Sequence, residues 1–301
     1  MRRRIIGFLK EKDIPYRTDV PGKTLTTIHV GGTCEVVATP LCLQQMTELV
    51  TFCAYGGIPY AVIGRGSNLL IADGTVSTVL IKTDLLNAVC IGEGYALAQC
   101  GCSLPGLAHR VAFSGYADLA FAAGIPGSVG GAVYMNAGAL GAEISSLVEW
   151  VEAYQPLERK IRTYFNDELS YSYRNSVFQS KNEVILQVKL RFWQFSEKDA
   201  IFDLMRQNII KRRNSQPLHM PSAGSAFRRP EPHIPVGKLL DELGLKGLCC
   251  GRAAVSEKHA GFIVNLGGAT AGDVKALIAS VQRITEEKTG IQLVPEIQEI
   301  T

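Results

Sequence analysis

Residues 115–141 constrain this chain more than any other stretch, because they hold Gly124-Ile125-Pro126-Gly127-Ser128-Val129-Gly130-Gly131 and then Asn136-Ala137-Gly138-Ala139-Leu140-Gly141. Glycine costs about 1 kcal/mol relative to alanine in a helix interior. Such density therefore reads as folded loop and short turns between packed elements, placed where backbone must approach something closely. A second cluster, Gly64-Arg65-Gly66-Ser67-Asn68, follows the apolar run Tyr60 to Ile63. A glycine turn after a strand can aim main-chain N–H groups at an anion, with serine and asparagine adding hydrogen bonds. The cluster lacks the full dinucleotide fingerprint and the Gly-Lys-Ser/Thr ending of a Walker loop. Taken alone, an ordinary tight turn explains it as well as a phosphate loop does. Two such loops in one domain suit an extended ligand with two phosphates, although spacing does not identify flavin.

The rest of the chain supplies the packing. With 301 residues, 47% hydrophobic and 20% charged, two or three domains with real cores are expected. The net charge of +3 is too weak for a nucleic-acid surface but compatible with a basic pocket for a small anion. The basic runs Arg2-Arg3-Arg4 and Lys211-Arg212-Arg213 read as solvated helix ends. The eight cysteines form no repeated metal framework, so no metal site is expected, and they read as small hydrophobes in a reducing compartment. The apolar run Ile5 to Leu9 ends at Lys10, too short for a signal-peptide core, and no segment is long enough to span a bilayer. A cytoplasmic protein without membrane insertion is the expectation.

Periodicity predicts a helix over 42–54, with Leu43, Met46, Leu49, Val50 and Cys53 on one face and Gly56-Gly57 as its stop. Strands are predicted over 60–63, 76–81 and 89–91, and a short helix over 104–112. Alternation of Val184, Leu186, Val188, Leu190 and Phe192 predicts a half-buried strand over 184–195, paired with one over 147–154. A helix from Lys198 is predicted to bury Ile201, Phe202, Met205, Ile209 and Ile210. Past residue 196 the chain reads as a separate unit, closed by a helix bearing Val274, Leu277, Ile278, Val281 and Ile284, then Gly290 and a strand over 291–294. The mixture of short strands and helices argues for an α+β fold.

Four further places could carry chemistry. Arg174, beside Tyr173, can clamp a carboxylate bidentately, while tyrosine offers a hydroxyl or a stacking face; an edge strand with a surface arginine is the plainer reading. Ser225 in Gly224-Ser225-Ala226-Phe227-Arg228-Arg229-Pro230 sits in no nucleophile elbow and reads locally as a turn serine. Glu296 could act as a general acid or hydrogen-bond an enol, against the commoner exposed glutamate. His259 in Val255-Ser256-Glu257-Lys258-His259 reads as packing, capping or substrate-contour chemistry.

Together these segments resemble the UDP-N-acetylenolpyruvoylglucosamine reductase family, in family order and over nearly the whole chain. The matching stretches are Thr27 to Gly32, Gly64 to Leu70, Gly124 to Ala132, Met135 to Gly138, Tyr173 to Ser176, Ala223 to Phe227, Gly244 to Gly247, Ala254 to His259 and Pro295-Glu296. The length is similar to that of the compact second type of this family. The resemblance implies a two-subdomain FAD-binding fold of the vanillyl-alcohol-oxidase (PCMH) type, with subdomains over 1–80 and 81–195, and a C-terminal α+β substrate-binding domain over 196–301. It implies bound FAD, NADPH as hydride donor, and reduction of UDP-N-acetylglucosamine enolpyruvate to UDP-N-acetylmuramate for peptidoglycan. Another FAD-dependent oxidoreductase, or a noncatalytic nucleotide-sugar binder, is the alternative.

By the same resemblance Gly64, Arg65, Gly66, Ser67, Asn68 and Leu69 would hold the cofactor, with Gly124, Ile125, Gly127, Ser128, Gly131, Asn136 and Gly138. Arg174, Ser225 and Glu296 would be catalytic, with Ser225 the proton donor. Tyr173, Arg228, Arg229 and Lys246 would contact the substrate. The family commonly has Lys-Asn before the proline where this chain reads Arg228-Arg229-Pro230. Arginine for lysine keeps the charge but changes hydrogen-bond geometry.

Overall fold

The computed structural model describes residues 1–231 and 234–301, and its backbone falls into two units that interleave in sequence. The first comprises Met1–Arg17, Val36–Arg65 and Val79–Arg212; the second comprises Thr18–Glu35, Gly66–Thr78 and Arg213–Thr301.

In the first unit, helix α1 (Arg2–Glu11) buries Ile5 and Leu9, and helix α2 (Leu43–Tyr55) buries Met46, Leu49, Val50 and Cys53 in the same core. Phe8 stacks on Phe52 with ring centroids 4.1 Å apart. Residues three and four apart share a helix face, which is why the apolar spacing in 42–54 reports α2 directly. Strands Thr33–Ala38 and Tyr60–Ile63 both run parallel to Val79–Lys82, with Val37 opposite Leu80 and Tyr60 opposite Val79. Parallel neighbours need a crossover, and α2 supplies one. The single strand predicted over 76–81 is two: Val79–Lys82 is separate from Thr75–Val76, which belongs to the second unit and pairs there with Thr33 and Cys34.

An antiparallel sheet follows in the order Lys160–Phe165, Val148–Gln155, Val184–Arg191, Tyr95–Gln99, Val89–Gly92. Val184, Leu186, Val188 and Leu190 are buried as the alternation predicts. The ladder ends at Arg191, short of the predicted Phe195. Helix α3 (Leu104–Phe113) starts at Ser103, whose hydroxyl accepts the Gly106 N–H at 3.3 Å.

Two further predictions need correction. The glycine-rich stretch is not loop throughout: Val129–Tyr134 form helix α4, with Gly130 and Gly131 inside it. A Cβ on Gly130 would sit 2.8 Å from the Cys100 Cβ, so close approach of the neighbouring chain, not helix propensity, dictates glycine there. Helix α5 (Lys198–Ser215) buries Ile201, Met205 and Asn208, whereas Ile209 and Ile210 are exposed. Asn208 takes a core position because its Nδ2 donates to the buried Ala120 carbonyl at 3.2 Å.

In the second unit, strands Ser222–Ser225, Phe262–Asn265, Ala253–Val255 and Cys249–Cys250 form an antiparallel sheet. Helix α6 (Val236–Glu242) and helix α7 (Ala271–Thr289) contribute Val236, Leu240, Val274, Leu277 and Val281 to the same core. Helix α7 opens with a capping box, Thr270 Oγ1 accepting the Asp273 N–H and Asp273 Oδ2 accepting the Thr270 N–H, each at 3.0 Å. It ends at Gly290, whose φ of 71° is the left-handed turn glycine permits. No strand forms over 291–294; the final strand is Gln298–Ile300, parallel to Leu69–Ile71. Ile28, Val30 and Leu70, all distant in sequence, join this core.

The cysteines are free thiols, with Cys34, Cys53, Cys100 and Cys102 buried. Among the described residues, no helix is long and apolar enough to cross a membrane.

Candidate active site

The two glycine-rich loops meet in the first unit. Gly64 follows strand Tyr60–Ile63, and a Cβ there would overlap the Ser128 hydroxyl. Ser128 is buried, and its Oγ accepts the Gly131 N–H at 3.2 Å at the start of α4. Gly127 and Val129 are held to the 102–104 turn by bonds of 3.0 Å (Leu104 N–H to Gly127 carbonyl) and 2.8 Å (Val129 N–H to Cys102 carbonyl). Gly131 and Arg65 face solvent, and Gly124 and Ile125 are half-buried. Gly64 and Ser128, one from each glycine-rich loop, thus pack directly on each other with no room for a side chain between them. Main-chain N–H groups and a serine hydroxyl of this kind suit a diphosphate.

Arg174 is held to the loop that follows α4. Its φ of 55° places it in a left-handed turn closed by Ser172 and Asn175. Its Nη1 donates to the Asn136 carbonyl at 3.4 Å and its Nη2 to the Gly138 carbonyl at 3.3 Å. It therefore lies on no edge strand. Asn136 is buried, and its Nδ2 donates to Glu143 Oε2 at 2.9 Å and to the Ser172 carbonyl at 3.0 Å. Asn136 thereby ties the loop after α4 to the turn that carries Arg174. Tyr173 is 39% exposed with its ring 5.1 Å from the Arg174 guanidinium carbon. The nearby Tyr171 hydroxyl is buried and pushed well above the usual phenol range by burial.

Arg212 is the residue that the sequence reading missed. It was expected as part of a solvated helix end, but its guanidinium Nε is buried. A Cβ on Gly124 would sit 2.9 Å from Arg212 Cδ. Burial, and secondarily the positive charge of Arg174, holds the Arg212 guanidinium below its ordinary value. The spacing Ile201, Met205, Asn208, Arg212 could have revealed it, had polar residues been admitted to a buried helix stripe.

In the second unit, Ser225 and Glu296 lie on adjacent backbone segments. The Glu296 N–H donates to the Ala226 carbonyl at 2.9 Å, Phe227 bridges Pro295, and the Arg228 N–H donates to the Val294 carbonyl at 2.8 Å. Between Ser222 and Ser225 the register slips, since three steps on this strand match two from Val264 to Phe262. Gly224, with φ 81°, sits in that bulge. Bulges re-aim side chains, and this one orients Ser225. The Ser225 hydroxyl donates to the Phe227 carbonyl at 3.1 Å. Asn68 reaches the same place, its Nδ2 donating to the Glu296 carbonyl at 3.1 Å. Gly66 is buried, and a Cβ there would overlap the Leu25 carbonyl. Ser67 and Leu69 are half-buried beside it.

The remaining predicted contacts are more peripheral. Arg229 is exposed and Arg228 half-buried. Lys246 Nζ pairs with Asp241 Oδ2 at 2.6 Å. His259 is a packing residue: its Nδ1 accepts the Gly261 N–H at 3.1 Å, and its ring meets Phe262 edge-on at 5.0 Å.

Comparison with known proteins agrees with this layout. The family model described as UDP-N-acetylenolpyruvoylglucosamine reductase, C-terminal domain, matches residues 216–300, and the model of an FAD binding domain matches residues 34–160. A Clostridium botulinum UDP-N-acetylenolpyruvoylglucosamine reductase is 40% identical over 280 residues, covering 93% of this chain and 90% of that protein. A Caldicellulosiruptor bescii protein of the same name is 39% identical over 293 residues, covering 97% and 92%. The crystal structure of UDP-N-acetylenolpyruvylglucosamine reductase from Thermus caldophilus is similar with a TM-score of 0.80 at 31% identity, covering 96% of this chain and 99% of that one. The fold is thus an FAD-binding domain of the vanillyl-alcohol-oxidase type joined to a C-terminal α+β domain.

Proposed function

The chain belongs to the UDP-N-acetylenolpyruvoylglucosamine reductase family, and on that premise we propose that it reduces UDP-N-acetylglucosamine enolpyruvate to UDP-N-acetylmuramate at the expense of NADPH. The observation that carries this reading is the backbone pairing of Ala226 with Glu296, which brings the strand bulge that carries Ser225 next to the segment that carries Glu296. Reducing the enolpyruvyl double bond needs a hydride at one carbon and a proton at the other. Bound FAD would relay the hydride from NADPH. The chain's own residues then have to hold the ligands and supply the proton.

Gly64, Arg65, Gly66, Ser67, Asn68 and Leu69 hold the cofactor in this reading, with Gly124, Ile125, Gly127, Ser128, Gly131, Asn136 and Gly138. Arg174 binds the substrate carboxylate, where a planar fork matches two oxygens. Ser225 gives its hydroxyl proton to the carbon next to that carboxylate, and Glu296 hydrogen-bonds the enolic form. Donors aimed at charge that develops only during reaction stabilise the transition state more than the bound substrate. Tyr173, Arg228, Arg229 and Lys246 contact the nucleotide sugar. FAD is served by 1–80 and 81–195 and the nucleotide sugar by 196–301, in a cytoplasmic step of peptidoglycan precursor synthesis.

The test is an absorbance spectrum followed anaerobically through NADPH and then substrate. Bound flavin that bleaches with NADPH and recovers with UDP-N-acetylglucosamine enolpyruvate is expected. Flavin that never bleaches with NADPH points to another FAD-dependent oxidoreductase. FAD-reconstituted protein without bound flavin overturns the reading.

A further inference from the structure

Residues 171–179 are laid along the end of α4 and the loop after it. Asn136 Nδ2 donates to the Ser172 carbonyl at 3.0 Å, and Arg174 donates back to the Asn136 and Gly138 carbonyls at 3.4 and 3.3 Å. Ser176 Oγ and Gln179 Nε2 both donate to the Tyr134 carbonyl, at 2.8 and 3.0 Å. These bonds fix the backbone on which Tyr171 stands, one residue before Ser172. Its ring packs against the core of the first unit. Its hydroxyl is shielded from solvent, yet among the described residues it has no hydrogen-bond partner. A hydroxyl taken out of water costs free energy unless a new partner replaces the water. Buried polar atoms left without one are few in native proteins. Phenylalanine would fill the same place at no such cost, so the oxygen calls for an acceptor.

We propose that Tyr171 is a cofactor-binding residue whose hydroxyl donates a hydrogen bond to the ring system of bound FAD. The inference rests on the reading that Asn136 and Gly138 lie against FAD and that Arg174 binds the substrate carboxylate. Hydride passes only between a flavin ring and a substrate held against it. Arg174 is three residues from Tyr171, in a turn pinned to Asn136, so the end of FAD that falls to Tyr171 is the flavin ring and not the adenine. Burial pushes the phenol well above its usual range, which keeps it protonated and makes it a donor. The carbonyl oxygens and ring nitrogens of a flavin are matching acceptors. A donor on these atoms favours the electron-rich reduced ring over the oxidised one.

The experiment compares the full-length, FAD-loaded wild type with Tyr171→Phe. FAD release is followed by flavin fluorescence after dilution, and the absorption spectrum and reduction potential of the flavin are recorded on the loaded proteins. Loss of one hydrogen bond should speed release about three- to tenfold. It should also shift the visible absorption bands and lower the potential. Unchanged release overturns the proposal whatever the spectrum, and leaves the hydroxyl to a buried water. Faster release with an unchanged spectrum and potential also overturns it, since the contact is then not to the flavin ring. Phenylalanine keeps the ring and removes one oxygen that has no protein partner, so the variant should fold. If it cannot be loaded with FAD, 3-fluorotyrosine at position 171 keeps the hydroxyl but makes it a stronger donor. Release should then slow and the potential rise, and no movement in either refutes the inference. A wild-type protein that holds no FAD means that the underlying reading of function fails, which is a separate result.

Discussion

Asn68 and Glu296 are joined twice over: Asn68 Nδ2 donates to the Glu296 carbonyl at 3.1 Å, and two residues beyond Glu296 the Gln298 N–H donates to the Asn68 carbonyl at 2.9 Å. The link spans 228 positions of sequence and continues into the parallel pair Leu69–Ile71 with Gln298–Ile300. A residue of the first glycine loop thus sets where Glu296 begins. Asn68→Ala should lower stability by about 1 kcal/mol, the usual net worth of one hydrogen bond. Urea unfolding would show this as a lower midpoint with an unchanged slope. Turnover of the enolpyruvyl substrate should fall further than the rate at which NADPH bleaches the flavin.

Ser225→Ala separates binding from proton transfer. The variant should retain FAD and bleach normally with NADPH, while reoxidation by the enolpyruvyl substrate slows by roughly 10²-fold or more, the scale of a lost general acid. Stopped-flow measurement of each half separately checks this. Undiminished reoxidation would remove Ser225 from the role of proton donor.

Glycine substitutions should have opposite signs at two positions. Gly64→Ala pushes a methyl into the Ser128 hydroxyl that caps α4, and should cost about 1–3 kcal/mol with faster loss of FAD. Gly7 lies within α1 with nothing within 4 Å of a built Cβ. Gly7→Ala should therefore stabilise by roughly 0.5–1 kcal/mol. Thermal melts of the two variants provide the comparison.

Acid should destabilise the second unit through His259. Burial, with the charge of Lys246 as a smaller cause, holds its imidazole below the ordinary 6.5, so the native ring favours the neutral form that accepts the Gly261 N–H. As pH falls the unfolded chain takes up the proton first. The stabilising contribution is therefore full above the unfolded value and is lost as pH drops through it toward the depressed native one. Melting temperatures at about pH 7.5 and about pH 5.5 bracket that window. His259→Asn should show a smaller drop between them than the wild type; equal drops would exclude the ring as a source.

What was legible in the sequence is whatever a short window of chain determines. The face of α2, the strand alternation over 184–190 and the core stripe of α7 follow from spacing, because a helix or strand repeats its own geometry within a few residues. The ordered motifs from Thr27 to Glu296 identified the family and, with it, the FAD-binding fold. Contacts between distant segments decided the rest. Gly130 is a glycine inside a helix because Cys100 leaves no room for a side chain there, and α5 buries Asn208 because a carbonyl 88 positions away accepts from it. Arg212 left the solvated helix end for the glycine turn by the same packing. Residues 18–35 and 66–78 join the second unit because Ile28, Val30 and Leu70 bury their apolar surface beside Phe227 and Val274. Burial is set by whatever packs against a residue, and for these positions that partner lies too far along the chain for any local pattern to register it.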